Sequence, residues 1–137
     1  MLSSIEVNHL FTTYPELFQQ FDGIFNIDSG WLPIVEDLCV ILSFLTKEQK
    51  INIYEIHKKF GILFIEHDNK SVLVRKLIYM AEKLSYTSCE KCGSKARLYS
   101  TNGSQYGELF TLCNKHAMVK YKPYEYQATK KETLLAE

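Results

Sequence analysis

The feature that most restricts how this chain can fold is Cys89-Glu90-Lys91-Cys92-Gly93, followed later by Cys113-Asn114-Lys115-His116. Two thiols lie two residues apart; after twenty intervening residues a thiol and an imidazole repeat that spacing. Together they supply four donors of the kind a tetrahedral Zn2+ takes. Short spacers let the backbone turn tightly enough to aim both members of a pair at one point. Gly93 can adopt the positive φ that such a turn needs.

Between the pairs, Asn102-Gly103 separates two apolar-rich runs and predicts a hairpin, with Ser104, Gln105 and Gly107 leaving room for a longer loop. A helix is expected to begin at Asn114 and carry the second pair in its first turn. Knuckle, hairpin and helix together make a treble-clef-like finger; a plain zinc ribbon is the alternative. A redox pair at Cys89 and Cys92 would leave Cys113 and His116 unexplained. A disulfide framework fits poorly with Cys39 inside an apolar helical run and with an N-terminus that does not read as a secretory signal. Four protein ligands fill a tetrahedral shell, so the expected Zn2+ is structural.

The rest of the chain supplies a core. Apolar residues are 46% of the 137 and aromatics 13%, which excludes a mainly disordered protein. The most apolar run, 31–45, is interrupted by Glu36 and Asp37, so no membrane span is expected. Reduced cysteines point to the cytoplasm. The formal net charge is zero, yet residues 1–69 hold ten acidic residues against four Lys, and 70–137 hold twelve Lys or Arg against six Glu. Either the basic half meets nucleic acid or the two halves face each other in the fold.

In chain order, residues 1–10 are weakly patterned and expected to fray. Residues 14–21 read as a short helix with Pro15 in its first turn. A central core helix should be capped by Ser29 or Asp28, with Pro33 in its first turn and Ile34, Val35, Leu38, Cys39, Ile41, Leu42 and Leu45 on a wide apolar face. Residues 51–57 and 62–67 read as a hairpin with Lys58 and Lys59 at a solvated turn. Residues 71–86 return to helical spacing, with Leu73, Leu77, Met80, Ala81 and Leu84 as the inward stripe. The architecture is one α+β domain: two N-terminal helices, a β-hairpin, a helix and a C-terminal treble-clef-like zinc finger. Residues 1–86 form the core, 87–122 the finger and 123–137 a tail.

The segments 30–35, 53–64 and 81–93 and the run Thr111-Leu112-Cys113-Asn114-Lys115-His116 together resemble a group of small, largely uncharacterised proteins encoded by phages and prophages. That resemblance implies Cys89, Cys92, Cys113 and His116 as ligands, in agreement with the spacing. It also implies interference with a host process or a host defence system. Two positions depart from the group, which tends to have an arginine in place of Phe64 and an aromatic near Glu108. If both lie on a shared surface, the partner differs.

An enzyme is not expected. His9, His57 and His67 stand in no nucleophile motif, and residues 96–111 lack the histidine that metal-dependent treble-clef nucleases need. The preferred reading is a protein-binding module, with a host protein as partner and self-association as its nearest variant. Trp31, Phe64, Tyr121 and Tyr124 are its candidate anchors, although a lone aromatic at a helix start, such as Trp31, is more often packed. The alternative is nucleic-acid binding through Lys91, Lys95, Arg97, Lys115, Lys120 and Lys122, with the tyrosines stacking on bases. A sequence pI of about 6.9 weighs against it.

Overall fold

A computed structural model describes residues 2–102, 107–117 and 121–124. Helix α1 spans Ser4–Thr13, where fraying was expected, because the Ser3 hydroxyl accepts the Glu6 amide and caps the first turn. The helix predicted over 14–21 shrinks to a single 3-10 turn at Pro15–Leu17. From there Phe18, Phe21 and Phe25 close with Phe11 into a cluster of rings 5.0 to 6.0 Å apart.

The core helix is α2, Leu32–Leu45, entered through a 3-10 turn at Ser29–Trp31. No side chain caps α2, because Ser29 and Asp28 are engaged elsewhere: the Ser29 hydroxyl donates to the Lys91 carbonyl, and Asp28 pairs with the Lys91 ammonium. Strand β1 (Phe25–Asn26) runs parallel to β2 (Ile53–Lys59), which pairs antiparallel with β3 (Ile62–His67). A bulge between Ile53 and Glu55 shifts the alternation, so that Ile53 and Ile56 both point into the core and Glu55 does not.

The turn between β2 and β3 is only Phe60-Gly61, both at positive φ, 54° and 81°. Those values match the two-residue turn whose twist suits a hairpin. Lys58 and Lys59 therefore belong to the strand rather than to a solvated loop, correcting the sequence expectation.

Helix α3, Val72–Leu84, is capped by the Ser71 hydroxyl. Its buried stripe is Val74, Ile78, Ala81 and Glu82; Leu73, Met80 and Leu84 are exposed and Leu77 only half-buried. The inward face is thus rotated by about one position from the expected one, because α3 carries two apolar stripes and the sheet decides which is covered. Helix α3 also closes the open edge of β3: the Ile65 amide donates to Glu82 Oε2 at 2.8 Å and the Leu63 amide to Ser85 Oγ at 2.9 Å. A buried carboxylate is retained here because it satisfies an amide that otherwise has no partner.

The finger contributes a second sheet in the order β5-β4-β6, from β4 (Arg97–Ser100), β5 (Leu109–Leu112) and β6 (Lys122–Pro123). The β4–β5 hairpin is as expected, whereas β6 adds an edge strand across the expected boundary between finger and tail. One face of this sheet receives the tip of the β2–β3 hairpin. Gly61 is buried against Leu98 and Leu109, and the Thr111 hydroxyl donates to the Gly61 carbonyl at 2.6 Å. Finger and core are joined through this contact as well as by the chain.

Candidate metal centre

Each ligand pair sits on a tight turn. In the first, the Cys89 amide donates to the Ser94 carbonyl at 2.7 Å and the Gly93 amide to the Cys89 carbonyl at 2.8 Å, with Gly93 at φ 80°. In the second, the His116 and Ala117 amides both converge on the Cys113 carbonyl, at 3.1 and 2.9 Å. The expected helix from Asn114 is described only as this turn, since 118–120 lie outside the described residues.

Strand β5 delivers Cys113 directly after Leu112. Cys89, Tyr99, Leu112 and Cys113 form a small apolar cluster of their own, with Ala96, Phe110, Ala117 and Tyr121 at its border.

The four donor atoms lie within 4.8 Å of one another. Cys92 and Cys113 sulfurs are 3.7 Å apart, and His116 Nδ1 stands 3.2 Å from Cys113 Sγ and 3.6 Å from Cys89 Sγ. A tetrahedron with metal–sulfur bonds of about 2.3 Å has edges of about 3.8 Å, so these separations suit four ligands around one ion. Cys89 and Cys113 are buried and Cys92 is exposed. Burial pushes the Cys89 thiol above its ordinary pKa, against backbone hydrogen bonds that favour the thiolate. At Cys92, hydrogen bonds from the Ser94 side chain and backbone bring the pKa down to about 6. The set of three sulfurs and one imidazole is borderline-soft and complete, as in metal sites that hold a fold together.

Contacts that sequence reasoning missed lock this centre to the core. Glu90, between the first two ligands, is only 4% exposed. Its amide donates to the Thr111 carbonyl at 2.9 Å, its Oε1 accepts the Thr111 amide at 3.0 Å, and its Oε2 takes the Lys58 ammonium at 3.0 Å. Lys58 also lies over the Phe110 ring, 4.2 Å from its centroid. One carboxylate thus covers the edge of β5 and ties the knuckle to β2. Nothing in the local sequence distinguishes Glu90 from a solvated charge.

The other site expectations fare unevenly. Trp31 is fully buried and its Nε1 donates to the Ser88 carbonyl at 2.8 Å, so it is not a surface anchor. The knuckle occupies the space in front of the indole, and burying the N–H requires that bond. Phe64 is half-buried in β3, 5.3 Å from the His57 ring and beneath the Lys59 ammonium. Tyr121 is half-buried and stacks on Phe110 with ring centroids 4.9 Å apart. Tyr124, likewise half-buried, pairs its amide with the Leu98 carbonyl; it lines a cavity of about 300 Å³ with Tyr86, Arg97 and Leu98.

Among the basic candidates, Lys95, Arg97, Lys115 and Lys122 are exposed, and Lys120 lies outside the described residues. Lys91 is committed to Asp28. Register pairs Arg97 with Leu112 and Ser100 with Lys122, which puts Arg97 and Lys122 on opposite faces of the finger sheet. The structure does not gather these cations into one patch.

Among the described residues no helix is long and apolar enough to cross a membrane. No family model matches the chain, and neither a curated protein nor a solved structure matches it.

Proposed function

We propose that this chain is a non-catalytic interaction module held in shape by a structural Zn2+ on Cys89, Cys92, Cys113 and His116. The observation that carries this reading is the closure of the ligand set. Three sulfurs and one imidazole stand at the separations of a single tetrahedron, and four protein donors leave no position for a water or substrate. The ion stiffens a finger wedged against the 3-10 turn that enters α2 and against the β2–β3 hairpin, so the surfaces around it are pre-organised for docking. The partner is a protein. The resemblance to phage-encoded proteins makes it a host protein, with inhibition of a host process or antiviral defence as the outcome.

Nucleic-acid binding has less support. Exposed Lys95, Arg97, Lys115 and Lys122 favour it, whereas the commitment of Lys91 to Asp28 and the division of Arg97 and Lys122 between two faces count against it. Affinity purification of the tagged protein from host cells, with and without nuclease, separates the two. A stoichiometric, nuclease-resistant host protein is expected. Recovery of nucleic acid alone, lost as salt is raised, overturns the reading in favour of the alternative.

A further inference from the structure

Helices α2 and α3 pack side by side, share one core cluster with the β1–β3 sheet, and each keeps an apolar stripe outside. On α3, Leu77 borders the core, with Leu73, Met80 and Leu84 four residues before, three after and seven after it, all exposed. Glu82 turns to β3, so the flank of Leu77 and Ala81 is the one beside α2. On α2, Val40, Ile41 and Phe44 are exposed and succeed Asp37 by three, four and seven residues, forming a single stripe. Helix α2 also packs against the 3-10 turn at Pro15–Leu17, and helical spacing sets Ile41 with Leu38 and Leu45, on the flank away from Glu36.

At on the order of 100 Å² each, the six exposed residues present roughly 600 Å². That reaches the upper end of what a monomer leaves bare and approaches the ~800 Å² each partner buries in a standard interface.

The charges beside the stripes differ in sign between the N-terminal half of α2 and α3. The charged residues of α2 are Glu36 and Asp37; past its C-terminus, the Lys47 ammonium lies over the Phe44 ring, 5.8 Å from its centroid. Helix α3 carries Arg75, Lys76 and Lys83, and its one acidic residue, Glu82, is buried. Lys76 and Lys83 stand four residues before and three after Met80, at the rim of the apolar stripe. An apolar seam between a helix with an acidic first half and a basic helix is self-complementary under a two-fold axis, because each α2 then crosses the α3 of the other copy.

We propose that the α2–α3 face is the surface on which a second copy of this chain docks, with Asp37 of each copy opposite Lys83 of the other. This rests on the reading of the chain as an interaction module and names one partner for it.

Sedimentation of the full zinc-loaded chain across the micromolar range tests the proposal. A dimer is expected for the wild type, and Phe44→Glu and Met80→Glu, both at exposed positions, should yield folded monomers with unchanged far-ultraviolet circular dichroism. Asp37→Lys should weaken the dimer about tenfold or more, and the double variant Asp37→Lys/Lys83→Asp should recover most of that loss. A wild-type monomer throughout, or variants that dimerise as before, overturns the proposal. The same Phe44→Glu chain in the host-cell purification keeps the readings apart: a host protein still captured by the monomer upholds the module even where the dimer fails.

Discussion

Gly30 lies so close to Cys89 that a Cβ at position 30 would collide with the Cys89 carbonyl oxygen, while the Gly30 amide donates to the Glu90 carbonyl at 3.0 Å. The start of the core helix and the first metal knuckle are thus in backbone contact. The group met is backbone, so it cannot swing aside as a flexible side chain would. Gly30→Ala should destabilise the fold by about 3 kcal/mol in urea unfolding and weaken metal retention alongside it. Stability unchanged in Gly30→Ala would show that the knuckle can move away from α2.

Replacing Cys92 with Ser should remove the metal, because a hydroxyl is a poor ligand for a soft site, and should unfold the finger preferentially. Metal analysis should read near zero, and amide exchange should accelerate over 88–117 more than over α2. A variant that loses the ion yet keeps wild-type stability would contradict the structural role.

Glu90 should be the most damaging acidic residue to truncate outside the ligand set. Glu90→Ala leaves the Thr111 amide buried without an acceptor and strips Lys58 of its ion pair, an expected loss of about 3 kcal/mol. Glu90→Gln keeps an acceptor for the amide and should lose less. Denaturant unfolding of both, with Lys58→Met as the partner variant, separates the two contributions. Equal losses for Ala and Gln would assign the whole effect to the ion pair.

Phe60 is the one non-glycine residue at positive φ among the described residues, and its side chain is 67% exposed. Asparagine tolerates this conformation better than a bulky ring does. Phe60→Asn should therefore raise stability by about 0.5–1 kcal/mol, visible as a higher unfolding midpoint. If the same change abolishes capture of a partner, the strained aromatic is retained for binding.

Burial, with Glu36 adding to it, pushes the Cys39 thiol from 9.0 up to about 12. Between those values the folded chain holds a proton that the unfolded chain has released. The stability linked to this group is complete below about pH 9 and is lost as the pH rises toward 12. Cys39→Ala should flatten that part of the pH dependence without changing metal content. In the metal-free protein, alkylation should reach exposed Cys92 first and Cys39 only on unfolding.

The ligand set is legible in the sequence because its chemistry is local. Two-residue spacers and Gly93 confine each pair to one turn, and four donors of this kind have few other uses. Most of the α2 apolar face and the β2–β3 and β4–β5 hairpins are legible for the same reason, since periodicity and turn residues act over a few positions; Ile41, expected on that face, is 45% exposed. Tertiary structure alone decided which of the two apolar stripes of α3 is covered, that Trp31 faces Ser88 instead of solvent, and that Glu82 and Glu90 are buried to satisfy strand-edge amides. Those outcomes depend on partners 17 to 57 residues away. A buried charge or indole N–H is stable only where such a distant group completes its hydrogen bond, and spacing along the chain does not encode that meeting.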